Sequence, residues 1–333
     1  MESRAYEVYL TALQEQRRLL LLLKSMWGVH AVLLRLSQER HAEQYAERPL
    51  SLFVAHNVSL HQWVDANSAR PTRHTAVFYA LPPHRSNELP YEQLEAVLIA
   101  KAKMSGSTFD VIDLRPLAAG GAQLSGGAVR FSANGEFMYV CCGTTGCDAE
   151  VRASTLRIVD ALRSGLGVSS SNCFCYYASP DAAATGGGLG WAAVGICAWA
   201  LDEMSFDSAA ERQRFVSHLR EAYRTSLHLT RADVQNFAGE CVEIVSRSPR
   251  HGSPKRQLVI SSGALRALSE DNRAALTAWY NNGGCVVPDV TTVERVGGYS
   301  VASMMIAVVT HGAETPPPTA RGLLASSGIG QCE

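Results

Sequence analysis

The sequence has neither a strong net charge nor a long apolar run. Its 333 residues carry 30 Lys and Arg against 31 Asp and Glu, so the formal net charge is -1. Because the charges balance, no overall field draws the chain to nucleic acid or to an anionic membrane, and any such contact must be local. The leucine run 19–23 is flanked by Arg17, Arg18 and Lys24, which predicts a buried helix and not a membrane span.

Secretion signals and paired cysteine motifs are also missing. No apolar secretory segment precedes a small-residue cleavage site, and Glu2 and Glu7 are atypical of an organellar transit peptide. The nine cysteines are an odd number, and their clusters at 141–147 and 173–175 lack CxxC spacing and matching histidines. We therefore expect reduced thiols, no metal site and no cofactor.

Helical and extended patterns alternate along the chain. Helices are predicted at 4–26, 91–103, 148–164, 207–224 and 262–280, the fourth capped by Asp207 or Ser208. Strands are predicted at 29–36, 50–54, 75–81, 109–114, 128–131, 136–142, 173–177, 191–201, 240–246, 257–261 and 304–309. No Pro/Gly linker divides this alternation, which indicates one α/β domain over residues 1–311 and a flexible tail over 312–333.

Two stretches carry a glycine or charge pattern that suggests phosphate binding. "TGGGLG" (185–190) lacks the Lys-Ser/Thr of a P-loop, so a surface insertion is the plainer interpretation. "RSPRHGSPKR" (247–256) concentrates basic residues at one hairpin tip, which makes them candidates for RNA contact, although a solvated hairpin is the plainer interpretation. These candidates are Arg247, Arg250, Lys255 and Arg256.

Four short stretches in order carry a family resemblance. "LFVAHNVSL" (52–60) is similar to "FVEDTAV", and "AVFYALPPHRSNE" (76–88) to a strand and loop with Arg-x-x-Glu. "LSGGAVRF" (124–131) is similar to "LDGGDV", and "VGGYSVASMM" (296–305) to a glycine-rich motif that ends in a catalytic Cys. Together they resemble the pentein superfamily, within it the dimethylarginine dimethylaminohydrolases and amidinotransferase-like relatives. The resemblance implies an α/β propeller of five ββαβ pseudo-repeats around a central pocket.

The resemblance also implies which positions carry the family's chemistry. Attack on a guanidinium carbon needs a thiolate, a histidine that moves a proton and carboxylates that pair with the cation. Here the nucleophile position holds Ser303, the family acids are replaced, and only Arg85 and Glu88 are kept. The replaced positions are Ser125, Ala128, His56 with its neighbour Ala55, and Tyr177 near the family's histidine. The prediction is therefore a chain that is not an enzyme, with Ser303 as a remnant.

Alternative chemistry at the same positions stays open. Ser303 is also a candidate hydrolase serine with His56 or His311 as its base, although no family spacing supports that pairing. Cys173 or Cys175 offers a different nucleophile. A third alternative is a small-molecule sensor that uses the old arginine-type pocket.

The expected role is that of a scaffold or adaptor. The whole chain resembles a dimethylarginine dimethylaminohydrolase-like component of the kinetoplastid RNA-editing substrate-binding complex. This resemblance alone implies a mitochondrial location, guide RNA and mRNA handling, and other protein subunits as partners. A near-neutral charge is typical of a subunit that contacts protein first and RNA indirectly. A homodimer is a further expectation, and membrane contact is not expected.

Overall fold

The structure is a computed structural model, and it describes residues 2–29, 31, 53–64, 71–82, 91–118, 121–184, 188–247, 254–281 and 283–312. Several predicted features lie outside the described residues. They are most of the strand 29–36, the first part of the strand 50–54, Arg85, Glu88, Arg250 and the tail beyond residue 312.

Helices and short strands alternate through the described chain. The helices are α1 Glu2–Lys24, α2 Tyr91–Ser105, α3 Ala149–Leu166, α4 Pro180–Ala184, α5 Ala209–Ala222, α6 Arg231–Gln235, α7 Ser262–Ala267, α8 Glu270–Trp279 and α9 Thr291–Gly297. The strands are β1 Val58–Val64, β2 Pro71–Phe78, β3 Thr108–Asp113, β4 Val129–Phe131, β5 Met138–Thr144, β6 Cys173–Ala178, β7 Gly190–Ala192, β8 Ile196–Trp199, β9 Met204–Ser205, β10 Thr225–His228, β11 Val242–Arg247, β12 Pro254–Val259, β13 Cys285–Val286 and β14 Val308–His311.

The same ββαβ unit occurs four times in the described chain. An antiparallel hairpin leads through helix to a parallel third strand in β1–β2–α2–β3 and in β4–β5–α3–β6. The units β7–β8–α5–β10 and β11–β12–α7–α8–β13 have the same order. Because a parallel return needs a crossover, each helix lies between the second and third strands of its sheet. The fold is mixed α/β with several small sheets, as predicted.

Strand β14 returns the C-terminal part of the chain to the first sheet. It pairs in parallel with β1, with Leu60 opposite Val308 and Trp63 opposite His311. Just upstream, the backbone N–H of Ala55 donates to the carbonyl of Ser303 at 3.1 Å. These bonds bring the "VGGYSVASMM" stretch against the "FVAHNV" stretch.

Local capping accounts for several helix boundaries. The side chain of Asp148 accepts hydrogen bonds from the backbone of Glu150 and Val151, and Gly167 ends α3 in the left-handed conformation. The side chain of Ser208 accepts from the backbone of Glu211, which confirms Ser208 as the cap of α5.

Three differences separate the predicted elements from the structure. The predicted strand 191–201 is the hairpin β7–β8, since Gly195 turns the chain at a φ of +72°. The predicted helix 262–280 is two helices, because Ser269 caps a new one by accepting from the backbone of Asn272. The third difference is a helix that was not predicted, α9, which begins at the β-branched residues 291–293.

Glu15 of α1 explains that third difference. Its carboxylate accepts hydrogen bonds from the backbone N–H groups of Thr292 and Val293 at 2.9 and 3.0 Å. A carboxylate at this end stabilises a helix by satisfying free donors and by opposing the positive end of the dipole. A tertiary contact thus overrides the extended preference of the local sequence.

Helix α1 buries only part of its leucine run. Leu19 and Leu23 pack with Val290 and Val293 in one hydrophobic cluster, whereas Leu21 is 66% exposed. The prediction of a buried run is therefore right for one face of the helix only. In the described residues no helix has the length and apolar character needed to cross a membrane.

Candidate functional site

Ser303 lies in a buried polar centre with His56 and Glu240. The Ser303 Oγ is 3.0 Å from His56 Nε2 and donates a hydrogen bond to Glu240 Oε2 at 2.9 Å. Each of the three residues is at most 3% exposed. The three come from segments far apart in the chain, so only the tertiary fold assembles them.

The "LSGGAV" motif forms the wall beside His56. The Ser125 side chain accepts from the backbone N–H of Gly127 at 3.1 Å and caps a single 3-10 turn, 126–128. A Cβ on Gly127 would stand 2.8 Å from His56 Nε2, and one on Gly126 would stand 2.1 Å from the Ala55 carbonyl oxygen. Both glycines are therefore needed for close packing. Ser125 and Ala128, at the positions of the family acids, belong to this turn.

The glycine-rich stretch after α9 supplies further donors to the centre. Gly298 ends α9 at a φ of +74°, and the backbone N–H of Ser300 then donates to Glu240 Oε2 at 2.8 Å. The Ser300 hydroxyl donates to Glu294 Oε1 at 2.6 Å. The Gly-Gly turn thus aims Ser300 and Ser303 at two buried carboxylates.

Burial dominates the electrostatics of Glu240. Desolvation raises the pKa of Glu240, and the opposing influences are the positive charge of Arg130 and hydrogen bonds from Ser300, Ser303 and Gly188. Burial likewise raises the pKa of Glu294. The centre therefore contains two carboxyl groups whose burial is energetically unfavourable, together with hydrogen-bond donors and the nearby positive charge of Arg130.

The hydrogen-bond directions define what Ser303 can do. A serine hydroxyl has one hydrogen, and here it is directed at Glu240, so His56 Nε2 must donate to the Ser303 oxygen. Activation of Ser303 as a nucleophile needs the opposite arrangement, with the hydroxyl donating to His56 in its other tautomer. The two states differ only in whether the Ser303 hydroxyl hydrogen points to Glu240 or to His56, together with the matching histidine tautomer.

Glu240 and Arg130 also belong to this centre, although the sequence motifs did not predict either of them. Glu240 precedes the apolar strand β11, and Arg130 interrupts the apolar β4. The signal that could have identified both residues is a charged side chain next to an apolar strand, since charged side chains are rarely buried without a partner.

Tyr177 and His311 lie in other surroundings. The Tyr177 hydroxyl donates to Asp207 at 3.5 Å, and the Arg152 guanidinium lies 4.0 Å from its ring centre. His311 pairs with His61, with 3.0 Å between His311 Nε2 and His61 Nδ1. Of the two bases considered for Ser303, the structure brings His56 to it.

The His61–His311 pair belongs to a second buried polar chain. The Tyr79 hydroxyl contacts Ser59 Oγ, which contacts His61 Nε2, each at 2.9 Å. Trp63 stacks on His311 with 4.4 Å between ring centres. Burial and the neighbouring His311 lower the pKa of His61 to about 3, and burial with the charge of Arg73 lowers that of His311 to about 4. Both rings are neutral at pH 7.

The candidate nucleophiles Cys173 and Cys175 form a thiol cluster with Cys142. Hydrogen bonds from Cys142 and Cys173 lower the pKa of the Cys175 thiol, and the same bonds raise the pKa values of the other two. The cysteines of the described chain are free thiols. Within the described ranges, no group of three or more His, Cys, Asp and Glu residues is arranged to hold a metal ion.

The basic hairpin β11–β12 divides its charges between two faces. Val245 pairs with Arg256 and Ser246 with Lys255, so strand alternation places Arg247 and Arg256 on one face and Lys255 on the other. Arg256 forms an ion pair with Glu243 at 3.0 Å. Among the described basic residues of this hairpin, only Arg247 and Arg256 share a face, and Arg256 is already paired. Fewer basic side chains are therefore grouped for contact with RNA than the sequence pattern implied.

Comparisons with known proteins support the fold. The sequence profile of the family described as N,N dimethylarginine dimethylhydrolase, eukaryotic, matches residues 192–310. No curated protein sequence matches the chain.

Two solved structures resemble nearly the whole chain. Apo ArgZ, an arginine dihydrolase from the ornithine-ammonia cycle in cyanobacteria, matches with a TM-score of 0.50 and 12% identity over 92% of this chain. A mutant of AgrE in a binary complex with L-arginine matches with a TM-score of 0.51 and 12% identity over 95%. The chain covers only 38% and 37% of the length of these two proteins. The fold is dimethylarginine dimethylaminohydrolase-like and pentein-like.

The prediction that the chain is not an enzyme has to be corrected. One of the structures it resembles is an arginine dihydrolase. The prediction also assumed that Ser303 has no adjacent base, and this is wrong because His56 Nε2 lies 3.0 Å from its hydroxyl. Replacement of the family residues at Ser125, Ala128 and Tyr177 does not by itself show that catalysis is lost.

Proposed function

We propose that the protein is a subunit of a mitochondrial RNA-editing assembly that handles guide RNA and mRNA, where it binds other protein subunits and meets RNA indirectly. The identity of the assembly rests on the sequence resemblance. The observation that supports an assembly role is a set of exposed apolar residues on and just beyond α1. These residues, each 38% to 66% exposed, are Tyr9, Leu10, Leu21, Leu22 and Trp27.

The side of α1 that carries Glu15, Leu19 and Leu23 is fixed to the rest of the protein. Glu15 is only 6% exposed and caps α9, and Leu19 and Leu23 pack in the cluster below. After the helix, the backbone N–H of Arg247 donates to the carbonyl of Trp27 at 2.7 Å. Single exposed apolar residues are ordinary, but a group of them on one anchored helix is typical of a protein-binding surface.

The finer architecture is part of the same proposal. Four ββαβ units and the return of β14 to β1 support a ring of five such units, formed by residues 1–311 as one domain. A ring of small sheets is rigid and presents its helices outward, which suits a subunit that several partners contact.

Affinity purification from the native cells, with and without ribonuclease, tests the assembly role. A stable set of mitochondrial RNA-processing proteins that survives ribonuclease is the expected result. A paired Leu21→Glu and Trp27→Glu variant should lose those partners, whereas Leu117→Glu, at a similarly exposed leucine elsewhere, should keep them. Recovery of only a second copy of the chain would point to a homodimer and contradict the proposal. Recovery of the protein alone would also contradict it.

A second candidate is a small-molecule site of the arginine type. The observation that favours it is Ser303 at the family's nucleophile position, in contact with His56 and Glu240. In this proposal the Ser303 proton moves to His56 as its oxygen attacks the guanidinium carbon. The C–N bond to an amine then breaks as His56 gives that proton to the leaving nitrogen, and water hydrolyses the covalent intermediate to citrulline. Citrulline release from arginine and methylated arginines tests it, with Ser269→Ala, at a helix cap, as the control for Ser303→Ala. Release that disappears only in Ser303→Ala supports this candidate, and no release above background from the native protein rejects it.

A further inference from the structure

Arg130 presents two buried N–H groups that have no hydrogen-bond partner. Its Nη1 donates to the carbonyl of Val129 at 3.2 Å, but its Nε and Nη2 are shielded from solvent and unpaired. Buried donors are nearly always satisfied by protein, water or an ion, because leaving one unpaired is costly. These two groups therefore indicate a missing partner.

The same edge of the guanidinium binds carboxylates elsewhere in this protein. Arg115 uses Nε and Nη2 to donate to Asp113 at 2.8 and 2.7 Å. Arg214 uses the same two atoms to donate to Glu211 at 3.1 and 2.8 Å. The edge formed by Nε and Nη2 matches the spacing of two oxygens on a planar or tetrahedral oxyanion. At Arg130 the same edge has no hydrogen-bond partner.

The backbone of Gly188 lies next to the Nε–Nη2 edge of Arg130. A Cβ on Gly188 would stand 2.8 Å from Arg130 Nη2, 3.0 Å from the Gly239 carbonyl oxygen and 3.5 Å from Glu240 Cγ, so a side chain there would crowd all three groups. Gly188 belongs to the "TGGGLG" stretch, of which residues 188–190 are described. The fold thus brings a glycine of that stretch to the half-buried Arg130, which the sequence alone did not reveal.

Burial works against negative charge on the acidic groups near Arg130. It raises the pKa of Glu240 and raises that of Tyr79 to about 12. The Tyr79 phenol is therefore neutral at pH 7 and does not repel an oxyanion. The positive charge of Arg130 acts on both groups, as well as on Tyr176 and Cys241.

We propose that the Nε–Nη2 edge of Arg130, beside Gly188, is a binding site for a small oxyanion, either a phosphate or a carboxylate group. The guanidinium would hold two oxygens of the anion side-on, as Arg115 holds Asp113. The site therefore selects an anionic group, in contrast to the cationic guanidinium end of an arginine-type substrate.

Thermal unfolding with added anions tests the site. Inorganic phosphate and acetate are titrated separately at constant ionic strength set with sodium chloride, since chloride is a single spherical acceptor and lacks the two spaced oxygens that match the two N–H groups. A saturable rise in Tm with one anion is expected, and the anion that gives it distinguishes phosphate from carboxylate. Arg130→Met should abolish that rise, and Arg152→Met, at an arginine on α3, should keep it.

A variant that retains the charge separates binding from folding. Arg130→Lys keeps the cation but loses the two-donor edge, so anion affinity should fall at least tenfold in calorimetric titration while the protein stays folded. If Arg130→Met does not fold, the comparison of the native protein with Arg130→Lys still decides. Absence of a saturable effect in the native protein, or equal affinity in Arg130→Lys, would overturn the proposal.

Discussion

Two buried histidines near the start of β1 differ in the groups around them. His56 contacts Ser303, which in turn donates to the carboxylate of Glu240. His61 contacts Ser59 and His311, and the charge nearest to that pair comes from Arg73. The centre at His56 contains a carboxylate and an adjacent cation, whereas the centre at His61 is uncharged. The comparison teaches that burial of a histidine alone does not define a reactive site, since the neighbouring charges decide its role.

Removal of the carboxylate from the His56 centre should have the largest effect. Glu240→Leu leaves the N–H of Ser300 and the hydroxyl of Ser303 without their acceptor and removes the carboxyl group beside Arg130. We expect a loss of about 3–5 kcal/mol in the free energy of unfolding, measured by urea denaturation. Glu240→Gln, which keeps an acceptor, should lose less. Equal losses in the two variants would show that the acceptor role is unimportant.

The second-largest effect should be a loss of folding stability in acid that comes from the His61 centre. The pKa of His61 is about 3 and that of His311 about 4 in the folded protein, below the ordinary 6.5. The unfolded chain therefore binds more protons, so stability is full above pH 6.5 and is lost as pH falls toward 3, by roughly 1.4 kcal/mol for each unit of pKa difference.

Urea denaturation at pH 7 and pH 4.5 measures that loss, and a variant identifies its source. His61→Leu should be less sensitive to acid than the native protein, because it removes the group with the lowest pKa. The groups that face this pair include Arg73, Ser59 and the backbone at Gly135. An unchanged pH dependence in His61→Leu would assign the acid sensitivity to other groups.

A single methyl group should disturb the His56 centre. In Gly127→Ala the added Cβ would meet His56 Nε2 at 2.8 Å, so the ring or the turn must move. We expect a loss of about 1–3 kcal/mol in the free energy of unfolding. Gly127 is not among the glycines with a positive φ, so the added methyl brings no left-handed backbone strain and the loss measures the clash with His56. An unchanged stability in Gly127→Ala would contradict the role assigned to the clash.

Arg73→Gln should give the smallest change in the free energy of unfolding at pH 7. It tests whether a nearby charge controls the protonation of the His61–His311 pair. Arg73 pairs with Asp110 in an exposed ion pair, so its loss should cost less than about 1 kcal/mol. Because the charge of Arg73 lowers the pKa of His311, the variant should also lose less stability in acid. The two denaturation curves at pH 4.5 and pH 7 measure both effects, and greater acid sensitivity in the variant would reverse the assigned electrostatic direction.

Local sequence predicted most of the secondary structure and failed where a distant group acts. The hairpin at Asn134 and Gly135, the cap at Ser208 and the strand at 173–177 follow from turn, cap and periodicity signals, and the structure confirms them. Helix α9 was missed because Glu15, far away in the chain, supplies its N-terminal acceptor. No local propensity contains that information.

The sequence by itself determined the mixed α/β alternation, the positions of the tight glycine turns and the placement of Ser303 after a Gly-Gly turn. Only the tertiary structure decided that His56, not His311, meets Ser303, that Glu240 accepts from it, and that Arg130 lies next to Gly188. The physical reason is separation along the chain. Turns and caps are made by neighbours within a few residues, whereas the buried polar centre is made by groups that meet only after the sheets have formed.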